Sequence, residues 1–382
     1  KVMGLAPYGQ PIYVDLIKNE IVRIFDDGSI HLNMRYFNYH YGLQMTGRRL
    51  EKLFGRKRRS PDDALTNSDR NIAASIQAVI EEIIFKMAYQ AKRLTGEKNL
   101  CLSGGVALNC TASGKLLKSG IFDNIHIQPA SSDSGGAVGA ALYINYSLTD
   151  SPKNNNQPYF NLGPDYKNLQ AEYFLNEINA PYTYNSDRKL ALYVAEQLYR
   201  GKIIALFNGP MEFGPRALGF RSILASPASA EMKERINRAV KFREHFRPFA
   251  PVVIEQKASI FFDCNHPSPH MLFNFNVRPE KQAFIPAVTH IDGTARIQTV
   301  NREQNPILYS ILEEFEKLSG LPILLNTSLN LRGHPIVRTP QEAFATFISS
   351  GIDTLVLVNC ILNKEKTDWS RFTDYKIGPR HD

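Results

Sequence analysis

Apolar residues recur at helical spacing through Ile72, Ile76, Val79, Ile80, Ile83, Ile84, Met87 and Ala91. This predicts one long amphipathic helix with Asn67 or Ser68 at its cap. Ahead of it, residues 11–45 alternate apolar and polar positions around turn signals such as Asp26-Asp27-Gly28, the pattern of short strands or hairpins. After Gly96 the rhythm shortens. Strands are predicted at Asn99–Leu102 and Asn124–Ile127, with helices opening near Val106 and near Ser134. Glycines stand where those strands hand over to helices, an α/β layout. Thr149 to Lys167 is rich in Asn and Pro and has no period, so it reads as a linker. The pattern then restarts with a helix over Leu190 to Tyr199, strand Lys202 to Phe207 and a loop of Gly, Pro and Arg. A further helix places Met232, Ile236, Ala239 and Val240 on one face. Another opens at Pro306, keeps Ile307, Leu308, Ile311, Leu312, Phe315 and Leu318 in register, closes at Gly320 and feeds strand Pro322 to Leu325. Proline at its start and glycine past its end follow the usual asymmetry.

With 382 residues, and domains of roughly 100–200 residues, two domains are expected, 1–150 and 171–382, joined by 151–170. A hydrophobic share of 43% and a charged share of 21% exclude wholesale disorder. The longest apolar runs, Ile203 to Phe207 and Leu321 to Leu325, are strand-sized and far below the ~20 residues of a membrane helix. No membrane partner is therefore expected. Cys101, Cys110, Cys264 and Cys360 form no CxxC pair, which suits a reducing cytoplasm. Forty-five Lys and Arg against 37 Asp and Glu leave a formal +8, an excess that favours anionic partners. The chain opens on Lys1, and Lys1 to Gly9 (KVMGLAPYG) reads as the middle of a longer sequence, so an upstream portion is expected.

Four segments carry candidate chemistry. In Ser103-Gly104-Gly105-Val106-Ala107-Leu108-Asn109, paired glycines between a strand and a helix allow backbone N–H groups to approach an anion or nucleotide. A plain tight turn is an equal reading of the glycines alone. The next strand-to-helix turn, Ser131 to Gly136, adds Asp133, which is either a helix cap or a metal ligand. Two such turns in succession suit a nucleotide-plus-metal crevice, although no GK[ST] follows either of them. The strongest segment begins at Gly214-Pro215-Arg216-Ala217-Leu218-Gly219 with Arg221-Ser222. It continues through Lys233, Asn237, Lys241, Arg243 and Arg247. Between Glu231 and Arg247 six Lys or Arg face three Glu. Lys233, Asn237 and Lys241 share a helix face, so several cations converge on one pocket, and Arg forks fit phosphate oxygens. A solvated basic helix is the plainer alternative, weakened by the Pro, Phe and Gly residues that interleave the cations.

Weaker signals come from Thr294, Arg296 and Gln298 on one strand face, and from Asn326-Thr327-Ser328 at a strand's end, where ligands often sit in α/β sheets. His266 and His270 have HxxxH spacing, but Pro267 and Pro269 interrupt any helix there. The basic run Arg48 to Arg59 reads as a solvated loop or a phosphate contact.

In order and across nearly the whole chain, several motifs resemble the O-carbamoyltransferase family of nodulation, cephamycin and tobramycin type. They are Met3 to Gly9, Ser103 to Asn109, Ser132 to Gly136, Met211 to Gly219, Lys241 to Pro251, Ala287 to Val300 and Leu325 to Ser328. Pro210 departs from it, standing where the family more often has Arg. The resemblance implies an α/β (α+β) chain: part of an actin-like ATPase-superfamily domain, then a domain like threonylcarbamoyl-adenylate synthase (YrdC-like). It implies a carbamoyltransferase that turns carbamoyl phosphate and ATP into carbamoyl-adenylate and passes the carbamoyl group to the hydroxyl of a small-molecule acceptor. Carried over residue by residue, Gly104, Gly105 and Asn109 match the nucleotide turn and Asp133 a metal-ligand aspartate, for iron or for magnesium with ATP. Arg216, Arg221, Lys241, Arg243 and Arg247 match the catalytic carbamoyl-phosphate and ATP pocket. Ser222, Lys233, Asn237, Arg296, Asn326, Thr327 and Ser328 are its remaining binding residues.

The family's HxxxH metal pair lies upstream of the MGLAPYG segment. The expectation is therefore that this chain activates carbamoyl phosphate yet fails in transfer unless that portion is supplied. The alternative is RNA modification of the tRNA threonylcarbamoyl-adenosine type, using the +8 charge and the Arg48 to Arg59 run. It predicts binding that falls steeply with salt.

Overall fold

Val2–Leu5 (α1) and Val14–Glu20 (α2) open the chain in a computed structural model that describes residues 1–60, 63–149 and 160–380. The stretch 14–20 is a helix and not the strand that alternation suggested. Val14, Ile17 and Ile21 stand three and four apart and pack together with Val22 and Val79. The hairpin expected around Asp26-Asp27-Gly28 is present as Val22–Ile24 (β1) paired antiparallel with Ile30–Leu32 (β2). Its turn requires glycine: Gly28 has φ +82°, and an added Cβ would lie 2.4 Å from the backbone nitrogen of Met87.

Arg48–Leu53 (α3) precedes the long helix Asn67–Thr95 (α4). Thr66 caps that helix, one residue earlier than expected. Its hydroxyl accepts from the Asp69 N–H while the Asp69 carboxylate accepts from Thr66, a reciprocal capping box. Gly96 ends the helix in the left-handed conformation. Asn99–Leu102 (β3) and Asn124–Ile127 (β4) fall where they were predicted, with β3 beside β4, whereas the helix expected near Val106 begins as a 3-10 turn over Gly105–Leu108 and is α-helical only at Cys110–Lys118 (α5).

By its contacts the chain forms two units: residues 1–101 with 111–126, and residues 102–110 with 127 onward. This division differs from a break at 150. Asp133–Leu148 (α6) is grouped with the second unit, and none of its 16 residues is buried although Ala, Val, Leu and Ile surround its axis. Residues 151–159 of the expected linker lie outside the described residues. From 160 onward the linker is bonded to the second unit: the Gly163 N–H donates to the Met211 carbonyl and the Met211 N–H to the Pro164 carbonyl, each at 3.0 Å.

The second unit is built on an eight-stranded mixed sheet in the order β11-β8-β12-β7-β6-β13-β14-β5. In chain order its elements are Asn168–Glu177 (α7), Thr183–Tyr184 (β5), Asp187–Tyr199 (α8), Ile204–Phe207 (β6), Arg221–Ala225 (β7), Ala230–Ile236 (α9), Ala250–Ile254 (β8) and Ala258–Phe261 (α10). Asn274–Asn276 (β9), Thr294–Arg296 (β10), Gln298–Val300 (β11), Pro306–Ser319 (α11), Ile323–Ser328 (β12), Pro340–Ile348 (α12), Thr354–Leu357 (β13) and Cys360–Asn363 (β14) follow. Every residue of β6, β7, β8 and β13 is buried, as continuous apolar runs demand of central strands. Helix α11 packs on α8, its buried face Leu308, Ile311, Leu312 and Phe315 as the periodicity required. No helix among the described residues is long and apolar enough to cross a membrane.

Candidate anion-binding site

Strand β12 lies between β7 and β8, so Asn326 sits opposite Leu224 on one side and Ala250 on the other. Helix α9 does not stop at Ile236 but widens into a π-turn over Asn237–Lys241, a distortion often found at functional sites. Phe242 then takes a positive φ of 46° and turns the chain into the loop carrying Arg243 and Arg247. Lys233 is half-buried, and Asn237 and Lys241 are fully buried, so the predicted shared face points inward.

The side chains are held by neutral groups. Lys241 Nζ donates to the Ser328 carbonyl, to Ser328 Oγ (3.2 Å), to the Asn330 carbonyl (3.2 Å) and to Asn330 Oδ1 (2.7 Å). Arg243 Nε donates to Asn237 Oδ1 at 2.8 Å, and its guanidinium lies 4.6 Å from the Phe249 ring centre. Asn326 Nδ2 donates to Gln298 Oε1 (2.7 Å) and to the Ala217 carbonyl (3.2 Å), leaving its buried Oδ1 without a partner. Among the described residues the guanidinium groups of Arg216, Arg247 and Arg296 make no hydrogen bond or ion pair to protein, and Nε of both Arg216 and Arg296 is buried.

Charge repulsion follows directly. Arg216 is held down to about 9, by Arg296 first, then by burial and by Arg247. Arg243 is lowered to about 9 by burial, with Arg247 and Arg296 adding to it. Burial, Arg243 and Arg247 push Lys241 well below its ordinary value. Burial and Arg243 also lower Lys233. A partly buried group of cations, with no ion pair to a carboxylate among the described residues, is costly unless an anion completes it. Phosphate suits this demand, because a planar guanidinium fork donates to two oxygens at once.

Two sequence patterns match the chain: "Carbamoyltransferase N-terminus" over residues 1–142 and "Carbamoyltransferase C-terminus" over residues 195–364. Nodulation protein NolO of Bradyrhizobium diazoefficiens is 40% identical over 97% of this chain and 67% of its own length. The chain belongs to the carbamoyltransferase family. Nodulation protein NolNO of Sinorhizobium fredii is 39% identical over 97% of the chain and 54% of its own length. An uncharacterized Synechocystis protein, sll1178, is 44% identical over 95% of the chain and 63% of its own length. The chain thus spans about two thirds or less of the relatives it matches. A solved full-length HypF aligns over 48% of the chain at 16% identity with a TM-score of 0.33, too slight a likeness to argue from.

Within this carbamoyltransferase fold, the other predicted residues fall in different places. Arg221 is fully buried and stands apart from the cation group. Its guanidinium donates to the carbonyls of Asn208, Gly209, Phe220 and Pro164 and lies 3.6 Å from the Phe207 ring centre. Ser222 Oγ accepts from the Gly219 N–H at 2.9 Å, closing the turn after Arg216. Thr327 is half-buried beside Asn326 on β12. Gly104 and Gly105 are exposed, Gly104 with φ +92°, and a Cβ on either would meet no atom within 4 Å. Asn109 is half-buried at the end of that turn.

Asp133 is exposed in the first turn of α6. Among the described residues no three His, Cys, Asp or Glu side chains are grouped to hold a metal ion. A lone exposed carboxylate does not make the set of protein ligands that iron requires, so the residues described around Asp133 do not fit the iron that the resemblance implies.

Three residues were missed. Glu212 lies in the quoted motif but received no role, yet its buried Oε1 accepts from the N–H groups of Leu218 (2.6 Å), Phe220 (3.1 Å) and Arg221 (3.1 Å). Its signal was an acid inside a loop otherwise free of acids. Asn330 supports Lys241. His290 donates or accepts through Nδ1 at 3.3 Å from Thr294 Oγ1, and burial together with Arg296 and Lys233 lowers it to about 4 against the pull of Asp292. It adds no charge to the pocket at neutral pH.

Gly219 has φ +102°, and an added Cβ would fall 2.4 Å from Leu308 Cδ2 and 2.9 Å from Asn305 Nδ2. Gly219→Ala is expected to lower stability by about 2 kcal/mol or more, through backbone strain and overpacking together. Urea unfolding at constant m-value measures it; an unchanged midpoint would refute the reading.

Proposed function

We propose that the second unit activates carbamoyl phosphate with ATP, as a YrdC-like domain, and that the whole protein carbamoylates the hydroxyl group of a small-molecule acceptor. The first unit then corresponds to part of an actin-like transferase domain. The observation that carries the proposal is the group of half-buried Arg216, Arg243, Arg247 and Arg296 around the buried Lys241, with no ion pair to a carboxylate among the described residues. Family membership supplies the chemistry that the charge demands.

Water cleaves carbamoyl phosphate, giving carbamate and inorganic phosphate. A carbamate oxygen then attacks the α-phosphorus of ATP, and pyrophosphate leaves from carbamoyl-adenylate. In transfer, the acceptor hydroxyl attacks the carbamoyl carbon, its proton goes to solvent and AMP departs. Both leaving groups carry several negative charges, and fixed guanidinium groups stabilise charge as it develops. Lys241, held by Ser328 and Asn330, fixes the strand end against the π-turn while facing the same anions.

The test mixes the chain with ATP and carbamoyl phosphate and follows pyrophosphate. Release that requires carbamoyl phosphate is expected. Release at the same rate without carbamoyl phosphate, or none at all from folded protein able to bind ATP, would overturn the assignment. RNA remains outside this reading, since the cations it invoked line a different pocket.

A further inference from the structure

The first unit contains a cavity of about 750 Å³ that the carbamoyl chemistry does not use. This lies within the ~300–1,000 Å³ range of small-molecule sites. Its walls are aliphatic: Ile17, Val22 and Leu32 from α2 and the hairpin, with Ile76, Ile80 and Ile83 from α4. Its rim is the basic run singled out in the sequence. Arg48, Arg56, Lys57, Arg58 and Arg59 line it against only Glu51 and Asp69, a net +3. The acids are already engaged: Asp69 pairs with Arg56 at 2.7 Å, and Glu51 Oε1 accepts from the Arg58 N–H at 3.0 Å. Arg48, Lys57 and Arg58 are exposed, and among the described residues their side chains make no hydrogen bond or ion pair.

We propose that this pocket binds one amphiphilic molecule, a hydrocarbon body with an anionic head. The body fills the aliphatic floor, displacing water from surface that gains about 25 cal/mol per Å² on burial. The head meets the Arg48, Lys57 and Arg58 side of the rim. Nucleic acid carries the charge but has no aliphatic part to fill the floor. A bilayer surface offers both chemistries, but the concave shape suits a single inserted chain. The site lies wholly within the first unit, so it stands or falls separately from the anion pocket of the second.

The probe is decyl phosphate below its micellar concentration, titrated calorimetrically into the full chain. Saturable binding of one molecule is expected, with inorganic phosphate and decanol each at least about tenfold weaker, roughly 1.4 kcal/mol. Ile76→Trp, which fills the floor, and the double change Lys57→Glu with Arg58→Glu, which reverses the rim, are each expected to weaken binding by about tenfold or more. Ile144→Gln on the exposed α6 should leave binding unchanged. The Lys57/Arg58 pair is on the surface, so it decides the matter if Ile76→Trp fails to fold by circular dichroism. Equal binding by that pair and the parent would overturn the proposal. So would loss in the α6 variant, inorganic phosphate binding as well as decyl phosphate, attachment to anionic vesicles without one-to-one binding of the probe, or a dimer that the probe cannot dissociate.

Discussion

Arg216→Ala is expected to lower carbamoyl-phosphate-dependent pyrophosphate release by roughly 10²–10³-fold, the usual cost of removing one preorganised charge or donor from a developing anion. The same variant should be more stable than the parent when no ligand is bound. Arg216 is held down to about 9 in the folded chain, well below an ordinary arginine, chiefly because Arg296 repels it. A base whose folded value is depressed destabilises the fold while charged. That cost is fully present below about pH 9 and fades as pH climbs above it toward the value of an ordinary arginine. At neutral pH, removing the charge removes the cost. Inorganic phosphate or pyrophosphate should raise the melting temperature of the parent, and should raise that of Arg216→Ala much less. The paired readout separates an anion pocket from a merely buried basic cluster. If alanine leaves both pyrophosphate release and the phosphate-induced shift intact, Arg216 does not face the anion.

Much of this pocket was legible because the chemistry is concentrated in short segments. Arg216, Lys241, Arg243 and Arg247 fall within one loop–helix–loop stretch, and periodicity alone placed Lys233, Asn237 and Lys241 on one face. Their burial was not legible. It depends on the π-turn and on Phe242 entering the left-handed region, which no local pattern announced. The Arg296 strand was read as one element with Thr294 and Gln298 on a common face, whereas the structure divides it between β10, paired with β9, and β11, paired with β8. Long-range pairing decides such breaks. In the first unit, alternation misread Val14–Glu20 because apolar residues three and four apart also satisfy parts of a two-residue period. Helices α4 and α11 were correctly bounded to within a residue or two, since length, capping and apolar spacing agreed there. The basic run Arg48 to Arg59 was visible as charge, but the aliphatic cavity it borders is walled by residues from Ile17 to Ile83, on both sides of the run in sequence, and has no signature in the run itself.

Arg221 provides the sharpest contrast, because it was grouped with the catalytic arginines on motif alone. Its position on β7 points it away from the anion pocket into a nest of four carbonyls, with Phe207 beneath it. Burial lowers it to about 10, while Glu212, Asp165 and Tyr166 support the charge. Glu212 in turn gathers three backbone N–H groups from residues 218, 220 and 221, so the two side chains brace the loop that carries Arg216. Arg221→Ala is therefore expected to destabilise the fold by about 3–5 kcal/mol, the range for breaking a buried charge from its partners. Arg221→Lys should recover little, since an ammonium cannot serve carbonyls on both sides of a planar fork. Whatever protein remains folded at low temperature should still gain stability from phosphate. Urea midpoints with and without phosphate distinguish the roles: a bracing residue moves both curves together, whereas an anion ligand removes the gap between them. An Arg221→Lys variant with a normal midpoint and no phosphate-induced gap would put Arg221 back among the residues that touch substrate.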